Sequence, residues 1–68
     1  MKEIKIRDDH IKLGQLLKLA GMVDSGLEAK IEILNGNVSL NGKKEIQRGK
    51  KIFSGDIVSY NGEEIKVL

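Results

Sequence analysis

The segment from Ser25 to Lys51 constrains the fold most, because it contains a helix start, a helix end and a hairpin turn in close succession. Ser25 and Glu28 have the spacing of a capping box, in which each side chain accepts a hydrogen bond from the other residue's backbone N–H. Asn35-Gly36 is typical of a helix end, and Asn41-Gly42 favours a two-residue hairpin turn. A helix followed so closely by a hairpin predicts an α+β fold.

The chain is short and contains no cysteine. Its 68 residues predict a single domain over residues 1–68. A disulfide framework and Cys-based zinc sites are excluded, so a small core of Leu, Ile and Val must stabilise the fold. No apolar run approaches the roughly 18 residues of a membrane span, and the charged N-terminus lacks the apolar core of a signal peptide. We therefore expect a cytoplasmic protein without a membrane partner.

The N-terminal part predicts a strand and a helix. Residues 2–7 alternate polar and apolar side chains, as a half-buried strand does. Asp8 and Asp9 follow, and either is suited to cap the next helix, which we expect over residues 11–20. Gly14 can let another backbone or a ligand approach this helix, and Gly21 predicts its end. The apolar stripe that should face the core consists of Leu13, Leu16, Leu17 and Ala20.

The second helix carries a comparable stripe. Leu27, Ile31 and Leu34 recur at helical spacing, and Ala29 and Ile33 widen the apolar face. We expect these side chains to pack into the core.

Four short strands are expected after the second helix, over residues 38–40, 43–46, 57–60 and 63–68, and Ile52-Phe53 is expected to return to the core. Asn61-Gly62 predicts a hairpin between the last two, and this terminal hairpin can pair with the first strand. The predicted fold class is therefore α+β, with two short helices packed on a small, mostly antiparallel sheet of about five short strands.

Basic residues are concentrated after the first hairpin turn. Five of the twelve lie in residues 43–51, where Glu45 is the single acid, so this segment carries a net charge of +4 while the whole chain carries +2. These residues are Lys43, Lys44, Arg48, Lys50 and Lys51. Lysine and arginine neutralise RNA phosphates and release counterions. The alternative is a solvated loop that serves solubility, as most short basic runs do.

Aromatic residues are scarce, which bears on the kind of RNA. Proteins that bind single-stranded RNA stack its bases on aromatic side chains. Phe53 is expected in the core, and Tyr60, beside a hairpin turn, offers at most one such stacking surface. The sequence therefore favours structured RNA recognised by shape and backbone. Four acids are expected near the terminal hairpin, away from the RNA: Asp8, Asp9, Glu63 and Glu64.

An enzymatic site has little support in the sequence. His10 is the only histidine, so neither a cluster of metal ligands nor a histidine base close to a serine nucleophile is apparent. No phosphate-binding G-x-x-x-x-G-K loop is present. We expect no cofactor and no small-molecule substrate.

An ordered series of residues links the first helix to the first hairpin. It comprises Lys12-Leu13-Gly14, Gly21, Ser25-Gly26, Ala29 and residues 36–42, GNVSLNG. The series resembles the RNA-binding domain named after ribosomal small-subunit protein four, the S-four type, over positions 11–60. Residues 45–51, of the pattern E-x-x-R-G-K-K, resemble its small stand-alone bacterial version, the YbcJ/YaaA-like proteins. This resemblance implies the αL RNA-binding motif.

Two positions depart from the wider S-four family. Gly26 stands where that family has a phosphate-contacting arginine, and Gly14 stands where it has aspartate. By resemblance, Lys12 and Lys30 are carried over as helix contacts to RNA, and the 43–51 basic segment compensates for the missing arginine. The alternative for both lysines is an ordinary exposed helix position.

The resemblance implies an RNA-binding protein that acts in ribosome assembly or translation and recognises structured RNA, ribosomal RNA above all, with ribosomal particles as further partners. The expected RNA-binding residues are Lys12, Lys30, Lys43, Lys44, Arg48, Lys50 and Lys51. The alternative function is a protein-interaction adaptor whose basic patch docks an acidic partner.

Overall fold

The computed structural model describes residues 1–68, which form two helices and seven short strands. In chain order these are β1 (Lys2–Ile4), β2 (His10–Lys12), α1 (Leu13–Leu19), α2 (Gly26–Leu34), β3 (Val38–Leu40), β4 (Lys43–Lys44), β5 (Lys51–Phe53), β6 (Ile57–Tyr60) and β7 (Glu63–Val67). Five strands form one sheet in the order β1-β7-β6-β3-β4. Its pairs are antiparallel except β1 with β7. The expected α+β fold with a mostly antiparallel five-stranded sheet is confirmed.

Both Asn-Gly hairpin turns are present. Asn41 and Gly42 have φ of 51° and 86°, and Asn61 and Gly62 have 53° and 81°, the positive values that a two-residue I′ turn requires. Asn41 also anchors its turn to β6, because its backbone N–H donates to the Ile57 carbonyl (2.7 Å) and its side-chain oxygen accepts from the Ile57 N–H (2.9 Å). The terminal hairpin pairs with β1, as expected.

The core lies between the two helices and the five-stranded sheet. All four members of the α1 stripe are buried, so that expectation is confirmed. The helix α2 contributes Ala29 and Ile33. The sheets and the loop after α1 complete the core with Val23, Val38, Ile52, Val58, Ile65 and Val67.

The expected core stripe of α2 is wrong. Leu27, Ile31 and Leu34 are 67%, 48% and 59% exposed, whereas Ile33 is fully buried. The helix has two apolar faces, and only the one with Ala29 and Ile33 packs on the rest of the molecule. The small side chain of Ala29 on the packed face is suited to close approach between elements, which the longer stripe does not allow.

The start of α1 also differs from the expectation. The helix begins at Leu13 rather than residue 11, and Asp8 and Asp9 do not cap it because β2 intervenes. Lys12 is the N-cap residue and makes no side-chain cap hydrogen bond. The N–H groups of Leu13 and Gly14 instead donate to the carbonyls of Lys50 (2.9 Å) and Arg48 (3.0 Å). A loop distant in sequence therefore takes the place of a local cap.

The capping box of α2 is only partly as expected. The Glu28 N–H donates to the Ser25 hydroxyl (3.1 Å), but the Glu28 carboxylate accepts from the Asp24 N–H (2.8 Å) rather than from that of Ser25. The helix end at Asn35-Gly36 is confirmed.

A separate two-stranded ribbon, β2 with β5, was not expected. It is antiparallel and pairs His10 with Phe53, Ile11 with Ile52 and Lys12 with Lys51. Ile52 is buried, but Phe53 is 46% exposed, so the expectation of a core Phe53 is wrong. Ile11 and Ile52 face the core at this edge of the molecule. The Phe53 ring therefore lies on the outward face of the ribbon. Neither helix is long and apolar enough to span a membrane.

Candidate nucleic-acid interface

A cleft of about 320 Å³ opens between α1, the start of α2 and the loop before β5. We call it the basic cleft. It is lined by Lys12, Gly14, Gln15, Lys18, Gly26, Arg48 and Gly49. Three of these seven residues are cationic, three are glycines, and none is acidic or apolar. Such a lining suits an anion whose own bulk must come close to the protein backbone.

The loop that supplies Arg48 is held on α1 by backbone hydrogen bonds. Besides the two bonds to the start of α1, the Lys50 N–H donates to the Gln47 carbonyl (3.1 Å). Gly14 lets this loop approach closely, as its lack of a side chain predicted. A Cβ atom at position 14 would lie 2.7 Å from Cγ and 3.3 Å from Cδ of Arg48. The absence of that atom therefore allows the Arg48 side chain to lie across α1 at the cleft.

The cations of the basic cleft have no acidic partners. The only basic and acidic side chains within ion-pair distance of each other are His10 and Asp9, with Nδ1 and Oδ1 2.8 Å apart. In the ribbon, Lys12 lies directly opposite Lys51, and like charges opposite each other on neighbouring strands are destabilising. An anion bound between them would relieve that repulsion.

The other expected site residues occupy different places. Lys30 is exposed on α2 and lies one helical turn beyond Gly26, beside the cleft. Lys50 is exposed and is held through its backbone at the start of α1. Lys43 and Lys44 form β4, near the opposite end of α2. A Cβ atom at Gly36, just beyond that helix end, would lie 3.1 Å from Lys44 Nζ. The Lys44 ammonium group therefore complements the negative end of the helix dipole.

Sequence reasoning missed Lys18 and Gln15, which line the basic cleft. Lys18 follows Gly14 by four residues, so both lie on one face of α1. That spacing was a usable signal, because Gly14 already indicated a close approach on this face.

The four acids do not lie together. Glu63 and Glu64 line a pocket with Met1, Lys2 and Gly62 and share no residue with the basic cleft. Asp8 instead lines a groove with Lys5, Arg7, His10 and Gln15, and Gln15 also borders the cleft. The expected position away from the basic surface therefore fits the glutamates and not Asp8.

Tyr60 is engaged with α2 and is half-buried. Its hydroxyl donates to Glu32 Oε1 (3.0 Å). This hydrogen bond, together with burial and the negative charges of Glu32 and Glu28, raises the pKa of Tyr60 above its ordinary value of 10.0. The ring is therefore anchored within the fold through its polar end.

Comparison with known proteins gives consistent matches. Residues 4–68 match the S4 domain family. The chain is 41% identical over 59 residues to "Putative RNA-binding protein YbcJ" of Escherichia coli (strain K12), covering 87% of this chain and 84% of that protein. It is 39% identical over 59 residues to "Probable ribosome maturation protein RlbA" of Bacillus subtilis (strain 168), covering 87% and 83%.

A solved structure is also similar. The solution structure of YbcJ from E. coli, described as revealing an αL motif involved in RNA binding, superposes with a TM-score of 0.77 at 36% identity. The match covers 100% of this chain and 87% of that one.

Proposed function

Because this chain belongs to the S4 domain family, a family of RNA-binding rather than enzymatic domains, we propose that it binds structured RNA through the basic cleft. The observation that carries this proposal is the set of three cations, Lys12, Lys18 and Arg48, that line one cleft without a carboxylate partner. Ribosomal RNA is the proposed ligand and the cytoplasm the proposed location, with a role in ribosome assembly or translation.

The relatives support this choice of ligand. One is named for RNA binding and another for ribosome maturation. The similar solved structure is described by a motif involved in RNA binding. A protein with this surface that acts on ribosomal particles would meet structured RNA as its main anionic partner.

The cleft residues have distinct proposed roles. Arg48 offers a planar guanidinium group that can hold a phosphate by two parallel hydrogen bonds, while Lys12 and Lys18 act as point charges. Gly26 begins α2 and has open space on its Cα, so a phosphate can approach the positive end of that helix.

The remaining expected residues extend the proposed surface. Lys51 lies across the ribbon from Lys12, and Lys30 lies beside the cleft on α2. Lys43, Lys44 and Lys50 would contact the RNA backbone further along.

Fluorescence anisotropy with a labelled RNA hairpin tests the proposal. Arg48→Glu replaces an attractive charge in the cleft with a repulsive one, and a hydrogen bond to a charged group contributes about 1.5–3 kcal/mol. We expect at least about tenfold weaker RNA binding.

Lys66→Glu is the matched control, because Lys66 is an exposed residue of β7 that does not line the cleft. It makes the same charge change and should alter affinity by less than about threefold. Equal losses in both variants would contradict a local site. An acidic polypeptide that competes as well as RNA would support the adaptor alternative instead.

A further inference from the structure

The outward face of the β2–β5 ribbon carries two rings side by side. His10 and Phe53 are directly paired across the strands. Their ring centroids are 6.0 Å apart, and the ring planes are inclined by 50°. Phe53 is 46% exposed, and the His10 side chain is one-third exposed. The pair therefore presents an accessible ring surface that the core does not use.

Local hydrogen bonds order the chain at both rings. The Phe53 N–H donates to Asp56 Oδ2 (2.8 Å), which fixes the turn after β5. His10 Nδ1 lies 2.8 Å from Asp9 Oδ1, which orients the imidazole. A surface that is ordered before the ligand arrives loses little conformational entropy on binding.

The ring pair adjoins the basic cleft. Side chains two residues apart on a strand share one face, so Lys12 and Lys51 lie on the same face as the rings, about 7 Å further along the ribbon. Lys12 also lines the cleft. His10 also lines the neighbouring groove, which contains Lys5 and Arg7 together with Asp8. Two cations therefore lie on each side of the rings, with one acid among those in the groove.

The charges next to the rings favour a neutral group at that point. The Asp9 carboxylate contacts the His10 ring and is mostly exposed. Its negative charge would repel a phosphate placed over the rings. A nucleobase is planar, uncharged and stacks on aromatic rings. The flanking phosphates of the same strand would then reach the cations on either side.

We propose that His10 and Phe53 form a stacking site for one unpaired nucleobase. The site rests on the proposed RNA-binding function and narrows the ligand to structured RNA with an unpaired nucleotide beside a helix, such as a bulge. The sequence analysis predicted that RNA is recognised by shape and backbone alone, because Phe53 was expected in the core. The proposed stacking site adds contact with a base. Because every base has a stacking face, the site selects unpaired nucleotides rather than a particular base.

The test uses two RNA hairpins with the same stem. One carries 2-aminopurine as a single-nucleotide bulge, and the other carries it within a base pair. Wild type should bind the bulged hairpin at least about fivefold more tightly, as expected for stacking of one base, and should quench its fluorescence. Phe53→Leu keeps the apolar bulk but removes the ring, so it should lose the preference and the quenching while still binding the paired hairpin.

Three further variants sharpen the test. Phe53→Trp retains a ring and should retain both effects. His10→Leu, which keeps Phe53, should also reduce the preference for the bulged hairpin. Ile31→Ala is the matched control, because Ile31 has nearly the same exposure (48%) on the outer face of α2, and it should change neither effect. Circular dichroism melting checks that each variant is folded.

The outcomes separate this inference from the proposed function. Equal binding of both hairpins by wild type, or preference and quenching retained in both Phe53→Leu and His10→Leu, would overturn the stacking site and leave RNA binding standing. Binding of neither hairpin by wild type would overturn both.

Discussion

Gly14 is the residue at which a missing side chain has the clearest consequence. The Arg48 side chain occupies the space where a Cβ atom would lie, and the Arg48 carbonyl accepts the Gly14 N–H. Gly14 therefore admits the arginine to the cleft.

Gly14→Ala should therefore weaken RNA binding without weakening the fold. Alanine favours a helix by about 0.5–1 kcal/mol over glycine, which offsets the strain of displacing Arg48, so the melting temperature should change little. RNA affinity, measured by anisotropy, should fall by roughly fivefold or more because Arg48 contributes a charge-assisted contact. In an Arg48→Ala background the same substitution should have almost no further effect. A full additional loss there would show that Gly14 does not act through Arg48.

Tyr60 gives a residue-scale prediction about pH. Its hydroxyl is held by Glu32, so the protonated form is favoured in the folded state and its pKa is raised above 10.0. This contribution to stability is fully present below pH 10 and is lost as the pH rises through the higher folded-state pKa.

Absorbance titration near 295 nm reads Tyr60 alone, because the chain has one tyrosine and no tryptophan. Glu32→Gln removes the charge and should lower the Tyr60 pKa towards 10.0. Lys66→Gln serves as a distant control and should leave it unchanged. An unshifted midpoint in Glu32→Gln would contradict the assigned cause.

At the scale of elements, α2 shows what a sequence pattern can and cannot specify. Periodicity predicted that the helix exists, and Ser25 and Asn35-Gly36 predicted its ends. It did not specify the buried face, because both the Leu27 stripe and the pair Ala29 and Ile33 recur at helical spacing. The choice depends on how closely the helix packs on its neighbours, which only the assembled fold determines.

Two identical substitutions two residues apart test this assignment. Ile33→Val removes a buried methylene and should lower the free energy of unfolding by about 0.5–1.5 kcal/mol, which corresponds to several degrees in melting temperature for a domain of this size. Ile31→Val, on the exposed stripe, should change the stability by less than about 0.5 kcal/mol. Urea denaturation measures both, and a larger loss at Ile31 would contradict the observed orientation of α2.

The ribbon of β2 and β5 is the element that sequence reasoning could not provide. Its strands have three residues each and lie about forty residues apart in the chain. Short strands carry a weak periodic signal, and their partner is set by tertiary packing. The pairing places His10 opposite Phe53 and Lys12 opposite Lys51. Because the sequence did not predict the ribbon, it did not predict the proposed stacking site either. Both Asn-Gly hairpins, by contrast, follow from local turn geometry and were predictable.

At the scale of the whole molecule, the basic residues divide by their partners. Lys2 Nζ donates to the Ala20 carbonyl (2.6 Å) at the end of α1, and Lys44 lies at the end of α2. Both ammonium groups lie at the negative end of a helix dipole, and Lys44 is also exposed for its proposed RNA contact. Lys12, Lys18 and Arg48 have no such partners and meet at one cleft. The net charge of the whole chain is only +2, but three unpaired cations lie on one local surface, which therefore suits a polyanion.

The salt dependence of RNA affinity tests the basic cleft most directly. Five cations are proposed to neutralise one phosphate each: Lys12, Lys18, Lys30, Arg48 and Lys51. For a duplex stem, log affinity should then fall against log salt with a slope near −4.5, so doubling the salt weakens binding roughly twentyfold. Lys12→Gln with Arg48→Gln should weaken binding and make the slope shallower by about 1.8, while Lys66→Gln should leave affinity and slope nearly unchanged. A double variant with the affinity and slope of wild type would show that the cleft does not hold the RNA.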